Sequence, residues 1–269
     1  MALFLEKSDY TNNSILSWNE KFPDKKIDFK KILKYKYSWN ILFNKLLKDP
    51  RMDLIKHTLE ESIEKEELLF PYPDLLFNAF FLTDLKKISV CIIGQDPYYL
   101  NDIEDDIIIP QAMGLSFSVP KGIETPSSLK SIYRNLLKYK HIKKIPNHGN
   151  LEFWALQGCL MLNTSLTVIE GDKNKNCHKK IWKWFTNEII KYISDNCENI
   201  IFVLWGANAL EKVPFINFDK HDAIISSHPS GLSCAKKLNQ YDAFNDVDHF
   251  GKINKKLKEL GKREIVWSL

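Results

Sequence analysis

Four short clusters stand out along the chain, and three of them contain side chains that can exchange protons or read the hydrogen-bonding edge of a ligand. In chain order they are Gly94-Gln95-Asp96-Pro97-Tyr98-Tyr99, Asn163-Thr164-Ser165, Gly206-Ala207 and His228-Pro229-Ser230-Gly231-Leu232-Ser233. Taken singly, each has a structural explanation, since Asp96 and Pro97 suit a turn and Asn163 could cap a helix. His228 could likewise be a buried histidine satisfied by backbone groups. Because each cluster follows a short apolar run, at once or after two residues, their joint occurrence favours one shared site.

The elements that would position these clusters are four short runs rich in Val, Ile and Leu, which are typical of strands buried on both faces. They cover residues 88–93, 159–162, 200–205 and 223–225. Stretches with helical spacing of apolar residues lie between them, notably 129–137 and 181–193. This alternation predicts an α/β fold with a parallel sheet and helices on both faces. Since ligands of such sheets bind beyond the carboxyl ends of the strands, the polar clusters should meet there.

The composition favours one globular domain, because 269 residues with 44% hydrophobic content can bury one substantial core. A net charge of +4 is too small to indicate a nucleic-acid partner, so any basic surface must be local. The cysteines show neither Cys-x-x-Cys pairs nor zinc spacing, and they stand at positions 91, 159, 177, 197 and 234. No signal peptide or membrane span is indicated, so we expect an intracellular protein.

The start of the chain differs from the rest in composition. Residues 1–35 are predicted to form a polar, lysine-rich N-terminal extension, whose lysines suit a solvated face, followed by the main domain at 36–269. Residues 39–65 show the helical period, and Pro71 and Pro73 then interrupt the chain.

Six segments of the chain, in the same order, resemble those of family 1 uracil-DNA glycosylases. They are Gly94-Gln95-Asp96-Pro97-Tyr98, Gly114-Leu115-Ser116-Phe117-Ser118-Val119, His148-Gly149-Asn150-Leu151 with Trp154-Ala155-Leu156-Gln157-Gly158, Leu162-Asn163-Thr164, Leu204-Trp205-Gly206, and His228-Pro229-Ser230 followed by Leu232-Ser233. The resemblance implies a single domain with a central four-stranded parallel sheet flanked by helices on both faces. It also implies excision of uracil from DNA by base flipping and hydrolysis of the N-glycosidic bond, which leaves an abasic site for base excision repair. No metal or cofactor is implied.

The resemblance also implies roles for two catalytic residues. Cleavage of the bond leaves negative charge on uracil and positive charge on the sugar, and both must be stabilised. Asp96 would lie beside the sugar, stabilise its cation and orient the attacking water. His228 would donate a hydrogen bond to uracil O2, with a tautomer that the sequence does not reveal.

The same resemblance assigns the uracil pocket to four residues. The Asn163 amide offers an acceptor for uracil N3–H and a donor for O4. Tyr98 would exclude the 5-methyl group of thymine, and Gln95 belongs to the same pocket. Phe117 would stack on the base, although without the family match a core aromatic is the more common role.

DNA contacts are assigned by the resemblance to Ser128, Ser230, Leu232 and Ser233. Leu232 would enter the vacated base stack, whereas packing on its own domain is the default role of a loop leucine. Ser128 stands at a predicted helix start, where Thr125 could simply cap the helix. The expected partner is single- or double-stranded uracil-containing DNA, with replication or repair proteins as further candidates. We expect a monomer without membrane contact, located at sites of DNA replication.

Four features depart from the usual family pattern. They are Tyr99 in place of His, an insertion at 101–111, Ala207 in place of Ser, and Gly231 in place of Pro. The intact Asp96 and His228 argue against the main alternative, a non-catalytic DNA-binding or replication accessory protein on the same fold. A nucleotide-binding enzyme of another class would need a glycine-rich phosphate loop, and Gly94 and Gly206 stand alone.

Overall fold

The structure is a computed structural model that describes residues 4–12, 14–171 and 178–269. In these ranges the strands are β1 (Leu69–Phe70), β2 (Val90–Gly94), β3 (Asn101–Glu104), β4 (Ile107–Pro110), β5 (Cys159–Asn163), β6 (Val168–Ile169), β7 (Ile201–Trp205) and β8 (Asp222–Ser226). The helices are α1 (Ser8–Thr11), α2 (Trp18–Lys21), α3 (Phe29–Ile32), α4 (Asn40–Leu46), α5 (Arg51–Glu64), α6 (Asn78–Leu82), α7 (Ser127–Lys138), α8 (Glu152–Leu156), α9 (Lys179–Asn196), α10 (Ala207–Leu210) and α11 (His249–Glu259).

A four-stranded parallel sheet in the order β5-β2-β7-β8 forms the centre of the molecule. Every residue of β2, β5 and β7 is buried, which explains why these strands read as continuous apolar runs. All four strands lie within two residues of their predicted positions. The predicted fold class is therefore confirmed, with the helices arranged around this sheet.

Two long helices follow the sequence pattern closely. α7 buries Leu129, Ile132 and Leu136, and α9 buries Phe185 and Ile189 among others. Their apolar residues recur three and four positions apart, so one side of each helix faces the core. None of the described helices is long and apolar enough to cross a membrane.

The N-terminal segment is not the separate polar extension that its lysines suggest. Its exposed residues include Lys26, Lys30 and Lys31, as expected, but its apolar residues join the main core. Those buried side chains are Leu5, Tyr10, Trp18, Phe22, Ile27, Phe29 and Ile32. The Trp18 indole also donates a hydrogen bond of 2.9 Å to the Pro71 carbonyl. The described residues of the segment are therefore part of the folded domain, and the lysines that suggested an extension lie on its solvated face.

The insertion at 101–111 forms an antiparallel hairpin of β3 and β4. Its two turn residues, Asp105 and Asp106, have φ angles of 51° and 62°. Left-handed angles at both turn positions match the twist of a two-residue hairpin, and aspartate tolerates them better than most residues. Lys7 ties the hairpin to the N-terminal segment through ion pairs with Asp102 at 3.0 Å and Glu104 at 3.4 Å.

The described cysteines Cys91, Cys159, Cys197 and Cys234 are free thiols. Cys177 lies outside the described residues. Within those residues no group of three or more His, Cys, Asp or Glu side chains is arranged to hold a metal ion.

Candidate active site

A pocket of about 780 Å³ opens at the carboxyl ends of the central strands. Nine of the ten residues predicted for the site line it, namely Gln95, Asp96, Tyr98, Phe117, Ser128, Asn163, His228, Ser230 and Ser233. The exception, Leu232, projects from the loop beside it and is 86% exposed. The four polar clusters thus meet at one edge of the sheet because parallel strands end on the same side.

Asp96 presents a charge with few partners. Its Oδ1 atom is buried and accepts no hydrogen bond within the described residues. Burial raises the pKa of Asp96 to about 6, although the Gln95 side chain and the charge of Lys179 act to lower it. The backbone carbonyl of Gln95 is fixed by the Thr164 hydroxyl at 2.8 Å and the Ser165 N–H at 3.0 Å. A carboxylate that is held in place but poorly solvated is suited to stabilise a developing positive charge.

His228 is held as a neutral ring with a defined tautomer. Its Nδ1 atom accepts a hydrogen bond of 3.0 Å from the Ser230 backbone N–H. An accepting Nδ1 leaves the proton of the neutral ring on Nε2. Burial lowers the pKa of His228 to about 4, so the ring is uncharged at neutral pH. The structure thereby defines the tautomer, with Nε2–H as the donor of the ring.

Asn163 ends β5 and is 7% exposed. Its side chain lies over Gly94, its neighbour in the sheet, where an added Cβ would stand 2.2 Å from Asn163 Oδ1 and 2.7 Å from Ser116 Cβ. Only glycine at position 94 leaves room for the amide. Among the described residues, none hydrogen-bonds to this amide, so both of its polar atoms are available to a ligand.

Aromatic rings form another wall of the pocket. Phe117 has a φ of 63°, a conformation that non-glycine residues adopt at an energetic cost. Its ring centre lies 5.6 Å from that of Trp205 and 5.9 Å from that of His228. The Tyr98 hydroxyl donates to the Phe117 carbonyl at 3.4 Å, and burial raises the pKa of this phenol. The strained backbone conformation therefore occurs at Phe117, whose ring packs near those of Trp205 and His228.

The geometry agrees with comparisons to known proteins. Residues 80–258 match the model of the uracil DNA glycosylase superfamily. A probable uracil-DNA glycosylase of Acanthamoeba polyphaga mimivirus is 38% identical over 97% of this chain and 72% of its own length. The chain belongs to the uracil-DNA glycosylase superfamily. The predicted resemblance is thereby confirmed.

Further relatives extend the match within the superfamily. The uracil-DNA glycosylase of Aliarcobacter butzleri is 38% identical over 86% of this chain and all of its own length. A crystal structure of the mimivirus uracil-DNA glycosylase superposes with a TM-score of 0.91 at 37% identity, covering 99% of this chain and 97% of the other. Another crystal structure, of a Y322L variant of the mimivirus protein, is in complex with UGI and superposes with the same TM-score of 0.91.

Around the glycosylase pocket, the loop that follows β8 turns back on itself at Ser230, whose carbonyl accepts hydrogen bonds from the backbone N–H groups of Ser233 and Cys234. This turn leaves Leu232 at its tip, and Gly231 has open space around it. α7 begins at Ser127, with Pro126 at the N-cap position and no side-chain cap, so the alternative that Thr125 caps the helix is excluded.

Several pocket residues were missed by the sequence reasoning. Trp205, Asn208, Lys236 and Lys237 also line the glycosylase pocket. Trp205 is the last residue of a predicted strand and belongs to the segment Leu204-Trp205-Gly206 of the resemblance, but no site role was predicted for it. The two lysines stand three and four residues after Ser233, and positive charge so close to the predicted DNA contacts is a signal that could have placed them at the pocket.

The departures from the family pattern are accommodated around the same pocket. Tyr99 lines it, and its carbonyl accepts a hydrogen bond of 3.2 Å from the Gly171 N–H. Ala207 starts α10 directly after Gly206, whose φ is 90°. An added Cβ at Gly206 would stand 2.9 Å from the Cβ of His228. This glycine therefore lets the loop that carries His228 approach the end of β7.

Proposed function

We propose that the protein excises uracil from DNA by hydrolysing the N-glycosidic bond, with Asp96 and His228 as the catalytic residues. The observation that carries this assignment is the pairing, in one pocket, of a buried carboxylate lacking a partner on Oδ1 with a neutral imidazole whose proton is on Nε2. Membership of the uracil-DNA glycosylase superfamily supports the same reaction.

The two residues divide the charges of the transition state. As the bond between sugar C1′ and base N1 breaks, its electron pair moves onto the uracil ring, and His228 Nε2–H hydrogen-bonds the negative charge at O2. Asp96 stabilises the positive charge on the sugar and orients water toward C1′. The C1′–O bond then forms, the water loses a proton, and the products are free uracil and an abasic site. This reaction needs Asp96 ionised, which its pKa of about 6 permits at neutral pH.

Base selection rests on hydrogen bonds and shape. Asn163 would accept from uracil N3–H and donate to O4, whereas cytosine presents the reverse pattern. Thymine has the same polar edge as uracil, so Tyr98 would exclude it by occupying the space of its methyl group. Phe117 would stack on the base, and Gln95 completes the pocket beside it.

Base extrusion would use the surface around the pocket. Unstacking a nucleotide costs a few kcal/mol, and an exposed apolar side chain can fill the gap it leaves. Leu232 is suited to this, because it is 86% exposed at the tip of its loop. Ser128, Ser230, Ser233 and the Lys236 ammonium would hold DNA phosphates near the pocket. We further propose that the protein acts as a monomer at sites of DNA replication, where it meets both single- and double-stranded substrate.

The test is the release of free uracil from a uracil-containing single-stranded oligonucleotide. Wild-type protein and the Asp102→Asn control, whose carboxylate lies on the hairpin outside the pocket, should release uracil at similar rates. Asp96→Asn and His228→Ala should lose activity by a factor on the order of a hundred or more while still binding the DNA. DNA binding without uracil release by the wild type would instead indicate a non-catalytic protein.

A further inference from the structure

We propose that Lys179 is a positioning residue for the reaction, acting through Asn208 and Gln95 on the carboxylate of Asp96. This inference rests on the proposed function. It concerns a lysine that does not line the pocket itself but contacts Asn208, which does.

The first hydrogen bond of this series joins two helices. Lys179 is the first residue of α9, and its Nζ donates to Asn208 Oδ1 in α10 at 2.5 Å. Asn208 Nδ2 in turn donates to Gln95 Oε1, at the end of β2, at 2.5 Å. Gln95 directly precedes Asp96 in the chain and lines the same pocket, and its side chain is among the causes that lower the pKa of the Asp96 carboxyl. Three side chains therefore connect the start of α9 to the carboxylate.

The direction of these bonds follows from the lysine. An ammonium group has only donors, so it fixes the oxygen of the Asn208 amide toward itself and the nitrogen toward Gln95. That nitrogen fixes Gln95 Oε1 in turn, which leaves Gln95 Nε2–H as the donor toward Asp96. Bonds aligned in one direction also polarise each other. The positive charge thus determines that Asp96 meets a donor and not an acceptor.

Other charged groups around Asp96 do not supply this function. His228 and Tyr98 line the same pocket as a neutral ring and a neutral phenol, because burial moves the pKa of each away from the charged form. Lys236 and Lys237 line the pocket mouth, but they are exposed to solvent. Lys179 has a side chain only 27% exposed, and its charge is among the causes that lower the pKa of Asp96.

Lys183 provides a matched control on the same helix. Glu211 pairs with both lysines at 3.2 Å, so each contributes one ion pair between α9 and the chain after α10. Within the described residues, only Lys179 also contacts Asn208. Lys183→Met therefore removes an equal charge and an equal ion pair without interrupting the bonds that lead to Asp96.

The experiment measures the single-turnover rate of uracil release at saturating single-stranded DNA as a function of pH, together with DNA affinity. Lys179→Met should lower the rate about tenfold to a hundredfold, as expected for loss of a charge-assisted hydrogen bond, with little change in affinity. The acid limb of its pH profile should move to higher pH, because Asp96 loses support for its ionised form. Lys179→Arg should restore both, since guanidinium also has only donors. Lys183→Met should match the wild type.

Asn208→Asp tests the direction of the bonds independently. Aspartate keeps an acceptor for Lys179 and so keeps the link between the helices, but it has no donor for Gln95. The Gln95 amide should then rotate and present its oxygen to Asp96, so the acid limb should move upward with the fold intact by circular dichroism. A Lys179→Met profile superimposable on the wild-type profile would overturn the proposal. Absence of uracil release by the wild type would instead overturn the proposed function itself.

Discussion

Replacement of Asp96 by asparagine should make the protein more stable while removing most of its activity. The carboxylate is held in a poorly solvated position, with Oδ1 buried and without a hydrogen bond inside the described residues. Folding therefore works against ionisation of this group. Asparagine has a similar shape and no charge, so the fold no longer bears that cost, whereas the sugar cation loses its stabilising partner.

The size of the gain follows from the pKa. Burial raises the pKa of Asp96 from 3.8 to about 6, and each unit corresponds to about 1.4 kcal/mol. The folded state binds the proton more tightly than the unfolded state, so this stabilising contribution is complete below the unfolded pKa and is lost as pH rises through the folded value. Asp96→Asn should therefore gain about 3 kcal/mol relative to wild type at neutral pH, a large part of the 5–15 kcal/mol typical of a domain.

Urea unfolding of both proteins at about pH 7.5 and about pH 4 would measure this difference, which should shrink at the lower pH. In thermal unfolding at neutral pH, the melting temperature of Asp96→Asn should be roughly 6–12 °C above that of the wild type. Asp84→Asn is the matched control of opposite sign. Burial raises the pKa of Asp84, but hydrogen bonds from Ser38 and the Lys86 backbone N–H, together with the charges of Lys87 and Lys86, lower the pKa overall. That variant should be less stable than wild type at neutral pH.

Equal stability of Asp96→Asn and wild type at neutral pH would refute this reasoning. So would a gain that stays the same at both pH values, because it could not then come from ionisation of the carboxyl group. In either case the carboxylate would be adequately solvated in the folded protein. The acid limb of the activity profile should then fall near the ordinary aspartate pKa instead of near pH 6.

Three further substitutions test the site. Tyr98→Ala should allow measurable thymine release from ordinary DNA, because burial of the methyl group itself favours binding by roughly 0.8 kcal/mol and only steric exclusion opposes it. Release of uracil without thymine would mean that another residue excludes the methyl group at C5. Leu232→Ala should slow excision from duplexes more than from single strands, and an equal loss on both would indicate ordinary packing. Gly94→Ala should weaken uracil binding and excision together, since the alanine methyl group would stand 2.2 Å from Asn163 Oδ1. Unchanged kinetics would mean that the Asn163 amide can shift to make room.

The central sheet and the pocket were predictable because their sequence signals are strong. Strands buried on both faces need uninterrupted apolar runs, and parallel strands bring their carboxyl ends together whatever the intervening helices do. The sequence alone therefore predicts that Asp96, Asn163 and His228 lie at one edge of the central sheet. The tautomer of His228 could not be predicted, because it depends on a backbone N–H that only the folded loop brings to Nδ1.

Other features depend on contacts that leave little trace in the sequence. The helices before residue 35 have four residues each, too short for the helical period to show, so single buried residues such as Trp18 and Ile32 were outweighed by the surrounding lysines. The hairpin has Asp-Asp at its turn instead of the more usual glycine-containing pair. The contact of Lys179 with Asn208 joins two elements whose approach is set by packing alone.

The pocket is built from the ends of four separate strands, so enzymatic activity also reports the fraction of correctly folded molecules in a preparation. Thr164 reaches Gln95 across 69 positions of the chain, and Asn208 reaches it across 113. Helices form from local contacts, but such distant pairings require the whole sheet to be aligned. A batch with full helical content by far-ultraviolet circular dichroism can therefore contain inert molecules. Specific activity measures only the molecules in which all four strands of the sheet are correctly paired.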